Sequence, residues 1–417
     1  MRILHVNKFL YRRGGAESYM LDVAALQRAA GHEVEFFGMQ HPDNPPLRFA
    51  THFPPYVELE PPPSGVGRRL AASVRMVWSS SARRGIDEVV ESFRPDVVHL
   101  HNIYHQLSPS VLRPLAERRI PAVMTLHDYK LVCPSYLMLD HGRVCDVCLD
   151  GNFMHAIIRR CKDDSLGSSA ILAFESGVHR RFQAYGPVRV LICPSRFMAA
   201  KIAQGGVYAD RLAVLSNFMD ARGITPKAAP GGDVVYAGRL SFEKGVDVLI
   251  RSVSRLGAVH LHIAGDGPER PALESLAAAC APDRVTFHGR LPRAQVVDLI
   301  RSAAVLAMPS RCHENQPMAV LEAFACGVPV VTTDLGGLPE LVAGGRHGEI
   351  APAGNVEALA LALERILADL DRAFAMGQAA RTMVLEEFAP ERHLTGLDRL
   401  YQVARLSLTS AAPPFAN

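Results

Sequence analysis

Short apolar runs alternate along this chain with stretches of helical spacing, and that order restricts the fold more than any other feature. RILHVN, EVEFFG, DVVHL, AVMTLH, VRVLICP and RLAVLS read as strands in the first half, with a helix expected from Ala16 to Ala30. DVVYAG, HLHIAG, RVTFHG, AAVLAMP and VPVVTT repeat the pattern in the second half. Such alternation implies a parallel sheet covered by helices, because each strand must then be buried on both faces. Between the halves, SNFMDARGITPKAAPGG at 216–232 loses hydrophobic periodicity and gathers Gly and Pro, as a linker does. The expected fold is α/β, with two doubly wound parallel-sheet domains over 1–217 and 233–390, joined by a linker at 218–232. Gly and Pro also crowd 42–67, which reads as a long loop. SLTSAAPPFAN, including 409–417, reads as a disordered tail.

The chain has 417 residues, 48% hydrophobic and 21% charged, so core material is plentiful. MRILHVN runs straight into polar YRRGGAE and reads as a strand rather than a signal peptide. No run approaches the ~20 apolar residues that a membrane span needs. A cytoplasmic protein is therefore expected, with its eight cysteines mostly reduced. Residues 1–217 hold 26 Lys+Arg against 20 Asp+Glu, and the remainder 19 against 22. This mild basic bias suits an anionic partner for the first half, such as a phosphorylated acceptor or an acidic membrane surface, or it reflects scattered solubilising arginines. No nucleic-acid partner is expected.

Residues 309–331, PSRCHENQPMAVLEAFACGVPVV, join a strand exit, two spaced glutamates and an apolar helix. Met318 to Cys326 reads as that helix, with Pro317 in its first turn and Gly327 just past its end. Glu314 then precedes the helix and Glu322 lies inside it, with the free N–H groups of the first turn forming an anion site between them. In YAGRLSFEKGV a strand ends in Gly-Arg, and Lys244 follows Arg239 by five residues at a helix start. Ligands of open α/β sheets sit at the carboxyl ends of the strands, so both cations are placed to clamp a diphosphate.

Glu314 and Glu322, with the continuation LEAFACGVPVVTTDLGGLPELV, resemble the E-x7-E region of family 4 glycosyltransferases. These are retaining enzymes that use nucleotide sugars and have two Rossmann-like domains, the GT-B fold. The resemblance covers most of the chain. It implies that Glu322 binds the ribose and Glu314 faces the donor sugar, and that Arg239 and Lys244 hold the diphosphate. HIAGDGPER, with Asp266 and Gly267, and VTFHGRLPR, with Gly289 and Arg290, are similar to the family's two turns beside the nucleotide base. Asn315, Gln316 and Met318 join the donor-binding set. This chain reads Glu314-Asn315-Gln316-Pro317 where many relatives have Glu-Gly-Phe or Glu-Ser-Phe.

In the first domain, YRRGGAESYML is similar to the family's Gly-Gly-x-Glu loop, so Gly14 and Gly15 would face the diphosphate, with Glu17 at the helix start. A simple helix-capping turn is the competing explanation. His127, at the end of MTLHDYKLVCP, matches a histidine that the family keeps there, and its imidazole beside Asp128 would serve catalysis with Glu314. His99, His101 and His105 are left without a role. The helix over 391–408 would cross back onto the first domain. The implied reaction transfers a sugar from a nucleoside-diphosphate sugar to a sugar, lipid-linked or small-molecule acceptor, in polysaccharide, glycolipid or glycoside biosynthesis. No metal cofactor is needed for catalysis, since the cations and loops neutralise the leaving diphosphate and no Asp-x-Asp stands at a strand end. An epimerase or hydrolase of this architecture, or a non-catalytic sugar-nucleotide binder, is the alternative.

Two further segments stand apart. Cys133, Cys145, Cys148 and Cys161 form a C-x11-C-x2-C-x12-C array in an insertion near 133–161, suited either to a structural zinc or to packed free thiols. GVGRRLAASVRMVWSSSARRG, 65–85, places Val66, Leu70, Val74 and Val77 at helical spacing among five arginines, with no acid. It reads as one basic amphipathic helix, which either lies on the inner face of a membrane or packs on the sheet.

Overall fold

The computed structural model describes residues 1–59 and 65–408. The tail at 409–417 and Pro61 to Pro63 of the long loop lie outside the described residues. The first half contains β1 (Arg2–Val6), β2 (Glu33–Phe37), β3 (Val97–Leu100), β4 (Ala122–Thr125), a hairpin of β5 (Leu139–Asp140) and β6 (Arg143–Val144), then β7 (Val190–Cys193) and β8 (Leu212–Val214). Six of these make one parallel sheet in the order β2-β1-β3-β4-β7-β8. Val97, Val98, Leu100, Ala122, Val123, Val190 and Ile192 are fully buried, which is why the strands read as apolar runs rather than alternating ones.

The second half repeats the architecture with β9 (Val234–Ala237), β10 (Leu261–Ala264), β11 (Val285–Gly289), β12 (Val305–Met308), β13 (Val330–Thr333) and β14 (Gly348–Ala351), in the order β11-β10-β9-β12-β13-β14. All its pairings are parallel. The chain reverses its direction across the sheet between β1 and β3 in the first domain, and between β9 and β12 in the second. Crevices open at the carboxyl ends of strands at such points. Strand β14 escapes the sequence pattern because GEIA carries a glycine and a glutamate.

Two local expectations are corrected. Residues 65–85 form not one helix but two, Val66–Val77 and Ser80–Phe93, because Trp78 is extended and the Ser79 side chain accepts the Ala82 N–H as the cap of the second. Of the expected stripe, Val74 is 60% exposed and Val77 half-buried. Pro317 caps the helix Met318–Ala325 from an extended conformation instead of lying in its first turn. The final helix, Pro390–Leu406, buries Leu397, Leu400, Tyr401 and Ala404 in the core of the first domain.

Candidate active site

Strands β9 and β12 flank the reversal point of the second sheet, and their exit loops meet there. After β9, a 3-10 turn at Phe242–Lys244 presents Lys244. After β12, the loop brings Ser310 and Glu314 to the same place. Oε1 of Glu314 accepts hydrogen bonds from Lys244 Nζ at 2.6 Å and from Ser310 Oγ at 2.6 Å. The pair is well shielded, with side chains 25% and 11% exposed for Lys244 and Glu314. Burial works against the Lys244 ammonium, but the Glu314 carboxylate, with Cys312 and Tyr236 adding to it, holds the lysine pKa above its ordinary value. Two glycines permit this approach. Gly245 has φ 67°, and a Cβ there would lie 2.2 Å from the Pro309 carbonyl oxygen; Gly336 has φ 69°, and a Cβ there would lie 2.2 Å from the Glu314 carbonyl oxygen.

Glu322 lies on the helix Met318–Ala325 and accepts from Arg293 Nε at 3.1 Å. Arg293 also stands 3.7 Å from Asp22 on the helix Gly15–Ala29 of the first domain. Burial raises the Glu322 pKa, and Arg293 partly offsets this. Arg239 and Arg290 are exposed, without ion-pair partners among the described residues. Asp266 accepts the Gly267 N–H at 2.9 Å, which closes the turn after β10. Met318 is half-buried at the first position of its helix.

Several contacts tie the second domain to the first. Asn315 Nδ2 donates to the His127 carbonyl oxygen at 2.7 Å, and Gln316 Oε1 accepts the Asn217 N–H at 2.5 Å. Glu340 accepts the Arg196 and Phe197 N–H groups at 3.0 and 2.6 Å, at the start of the first-domain helix Arg196–Gln204. A carboxylate is favoured there by the helix dipole. Gln316 thus makes an interdomain contact through Oε1, while its buried Nε2 has no hydrogen-bond partner among the described residues.

His127 lies two residues beyond β4, half-buried, and burial lowers its pKa to about 4. Asp128 accepts from the Tyr104 hydroxyl and from the Lys130 N–H at 2.9 Å, and burial raises its pKa to about 6. Gly14 and Gly15 are exposed at the start of the helix Gly15–Ala29; Gly14 is extended, and a Cβ on Gly15 would meet nothing within 4 Å. Glu17 is buried and turned back towards Gly14.

All four insertion cysteines are free thiols. Cys148 and Cys161 have pKa values raised to about 12 and about 11, by burial first and then by the other cysteines of the array for Cys148 and by Asp140 ahead of them for Cys161. Among the described residues, the only group of three or more metal-ligating side chains whose ligand atoms lie within 4.8 Å of one another is His5, His99 and His101, so the cysteines are neighbours without being drawn into a coordination shell. The insertion is instead anchored by Lys130, whose Nζ donates to Glu175 at 2.9 Å and to the Pro134 carbonyl at 3.1 Å.

Sequence reasoning passed over Arg293, Ser310 and the Tyr104–Asp128 contact. Ser310 follows the apolar run by one residue, a position that could have marked it; nothing local ties Arg293 to Glu322, 29 residues on.

Two parallel-sheet domains whose carboxyl ends carry these cations and carboxylates define a two-domain α/β protein with its site between the halves. A family model described as a glycosyl transferase 4-like domain matches residues 14–217, and one described as glycosyl transferases group 1 matches residues 231–369. The chain belongs to the glycosyltransferases of this GT-B architecture. It is similar to glycogen synthase of Mycobacterium tuberculosis, 32% identical over 185 residues, 43% of this chain and 44% of that protein. It is also similar to a GDP-mannose-dependent alpha-(1-6)-phosphatidylinositol monomannoside mannosyltransferase of Mycolicibacterium smegmatis, 36% identical over 166 residues, 37% of this chain and 44% of that one. The matched stretch thus spans a little under half of each relative. Among solved structures, sucrose-phosphate synthase of Thermosynechococcus elongatus superposes with a TM-score of 0.72 at 19% identity, covering 98% of this chain and all of that one. HepE of Anabaena, in complex with UDP, superposes with a TM-score of 0.67 at 19% identity, covering 96% of this chain and 100% of that one.

Proposed function

We propose that the protein is a retaining family 4 glycosyltransferase that moves a hexose-type unit from a nucleoside-diphosphate sugar to an acceptor. The observation that carries this is the shielded Lys244–Glu314 pair at the reversal point of the second sheet, with Arg239 exposed on the same exit loop. In the proposed reaction, the bond from the anomeric carbon to the diphosphate oxygen breaks and an acceptor oxygen bonds to the same face of that carbon. The acceptor's proton passes to the departing phosphate oxygen. Arg239, Lys244, the loop at Gly14 and Gly15 and the start of the helix Met318–Ala325 balance the charge that develops on the diphosphate, without a catalytic metal. Glu322 takes the ribose hydroxyls, and Glu314 and His127 orient the donor sugar. Similarity to HepE, whose structures contain UDP and UDP-glucose, supports a nucleotide-sugar donor. A thermal-shift screen of sugar nucleotides tests the proposal, since a bound donor stabilises the fold by mass action. A donor that raises Tm in the wild type but not in Lys244→Ala supports it; no response to any sugar nucleotide counts against it.

Two parts of the proposal concern the periphery. The four insertion thiols suit a structural zinc by donor type, and equimolar zinc in purified protein, lost on their replacement by Ser, would establish it. Among the described residues no helix is long and apolar enough to cross a membrane. Exposed Val74, Trp78, Arg83 and Arg84 fit a cytoplasmic protein that docks peripherally on an anionic surface bearing a lipid-linked acceptor. Flotation with anionic liposomes, abolished by Arg83→Glu with Arg84→Glu, is the expected result.

A further inference from the structure

Histidines recur on one face of three adjacent parallel strands in the first sheet. His5 on β1 is in register with His99 on β3; His101 lies two residues beyond His99, and His127 two beyond Thr125 at the end of β4. Residues two apart on a strand share a face, so the four rings come together. Ring centroids are 4.4 Å apart for His99–His101, 5.4 Å for His5–His101 and 5.3 Å for His101–His127. His5, His99 and His101 are fully buried.

Every ring nitrogen of the three buried histidines is within hydrogen-bond reach of a partner. His99 Nδ1 meets the Tyr401 hydroxyl and its Nε2 meets Thr125 Oγ1, both at 2.8 Å. The rest form a line. His127 Nε2 lies 3.0 Å from His101 Nδ1, His101 Nε2 lies 3.1 Å from His5 Nδ1, and His5 Nε2 lies 2.7 Å from Gln27 Oε1. No lone pair is left over for an ion, so this is a hydrogen-bonded stack and not an open ligand set.

Burial lowers the pKa of His5 and His127 to about 4, and that of His101 well below its ordinary value, so each ring is neutral near pH 7 and carries one proton. The protons can then be counted along the line. Gln27 uses its Nε2–H to donate to the Tyr401 hydroxyl at 2.8 Å, which leaves Oε1 as an acceptor for His5. His5 must therefore be protonated on Nε2 and bare on Nδ1. His101 donates from Nε2 to that bare nitrogen and is itself bare on Nδ1. His127 donates to it from Nε2 in turn.

We propose that Gln27, His5 and His101 are positioning residues that fix His127 as the tautomer protonated on Nε2, so that its Nδ1 presents a lone pair to a hydroxyl of the bound donor sugar. The second clause rests on the proposed role of His127; the tautomer does not. Gln27 lies on the helix Gly15–Ala29, whose first turn is the Gly14–Gly15 loop, and its amide is held by Tyr401 of the final helix. The C-terminal helix thereby sets a proton position in the site through side chains alone, and the choice of tautomer is a property of the second partner of each ring.

The test is nitrogen-15 NMR of histidine-labelled, substrate-free protein at pH 7, with the His127 signals identified by their loss in His127→Gln. The expected result is a protonated Nε2 and an unprotonated Nδ1 on His127. Gln27→Glu, which offers His5 two acceptor oxygens, should preserve this state, whereas Gln27→Leu should convert it into a mixture of tautomers. Should Gln27→Leu fail to fold, the wild-type spectrum still decides. A proton on Nδ1 of His127 in the wild type, or an unchanged tautomer in folded Gln27→Leu, overturns the proposal. Turnover that survives His127→Gln bears only on the proposed role of His127 in the reaction.

Discussion

Glu322 and His5 show how one side chain carries different weight according to its neighbours. In the proposed complex, Glu322 accepts the ribose hydroxyls, and Arg293 partly offsets the burial that raises its pKa. A hydrogen bond to a charged group contributes on the order of 1.5–3 kcal/mol. Glu322→Ala should therefore weaken binding of the free nucleoside diphosphate by roughly ten- to a hundredfold in calorimetry; unchanged affinity would count against the assignment. His5 acts on stability instead. Its pKa falls from 6.5 to about 4 on folding, so its stabilising contribution is fully present above pH 6.5 and is lost as pH falls through about 4. That amounts to about 3 kcal/mol for a fully buried ring. His99, His101, His127 and His393 shift in the same direction, while Asp128, raised to about 6, opposes them. Urea denaturation should give a clearly lower unfolding free energy at pH 5 than at pH 7, with the difference reduced in His5→Asn. Equal stability at the two pH values would contradict it. The sequence made Glu322 legible through its spacing from Glu314, but not Arg293, since a cross-helix ion pair leaves no local pattern. The i, i+2 recurrence of His99 and His101 was visible; what it did was not, because the line they form needs partners from β1 and two distant helices.

At the scale of elements, apolar runs located eleven of the twelve strands in the two large sheets, because strands buried on both faces must be apolar throughout. GEIA failed that test because its glycine and glutamate break the run. The segment over 65–85 misled for another reason: its helical spacing is genuine, but Ser79 starts a new helix, and a cap overrides periodicity. Glycines were harder to read: Gly15 was singled out although a Cβ there meets open space, whereas Gly245 and Gly336, where one would clash, were not. Gly336 is required, since its φ of 69° and its closeness to the Glu314 carbonyl leave no room for a Cβ. Gly336→Ala should push the Glu314 loop out of place and destabilise the fold by about 1–3 kcal/mol, with loss of activity beyond what stability explains. Gly15→Ala, where a Cβ meets open space, should leave Tm nearly unchanged. Thermal melts of the two variants separate the cases, and equal shifts would show that the loop tolerates a side chain.

For the whole molecule, the contacts between the two domains include Asn315 with His127, Gln316 with Asn217, Glu340 with the start of the helix Arg196–Gln204, Arg293 with Asp22, and the His313 ring against Tyr129 and Phe197. Polar interdomain contacts of this kind allow domain motion. The chemistry divides along the same line, since the proposed donor contacts lie mostly on the second domain while His127, Gly14 and Gly15 approach from the first. The account therefore stands on the course of the reaction between the two halves. NMR of the glycoside formed from a defined nucleoside-diphosphate sugar, once donor and acceptor are found, reads that course directly. A product with the anomeric configuration of the donor is the predicted result, and a product of inverted configuration would contradict it.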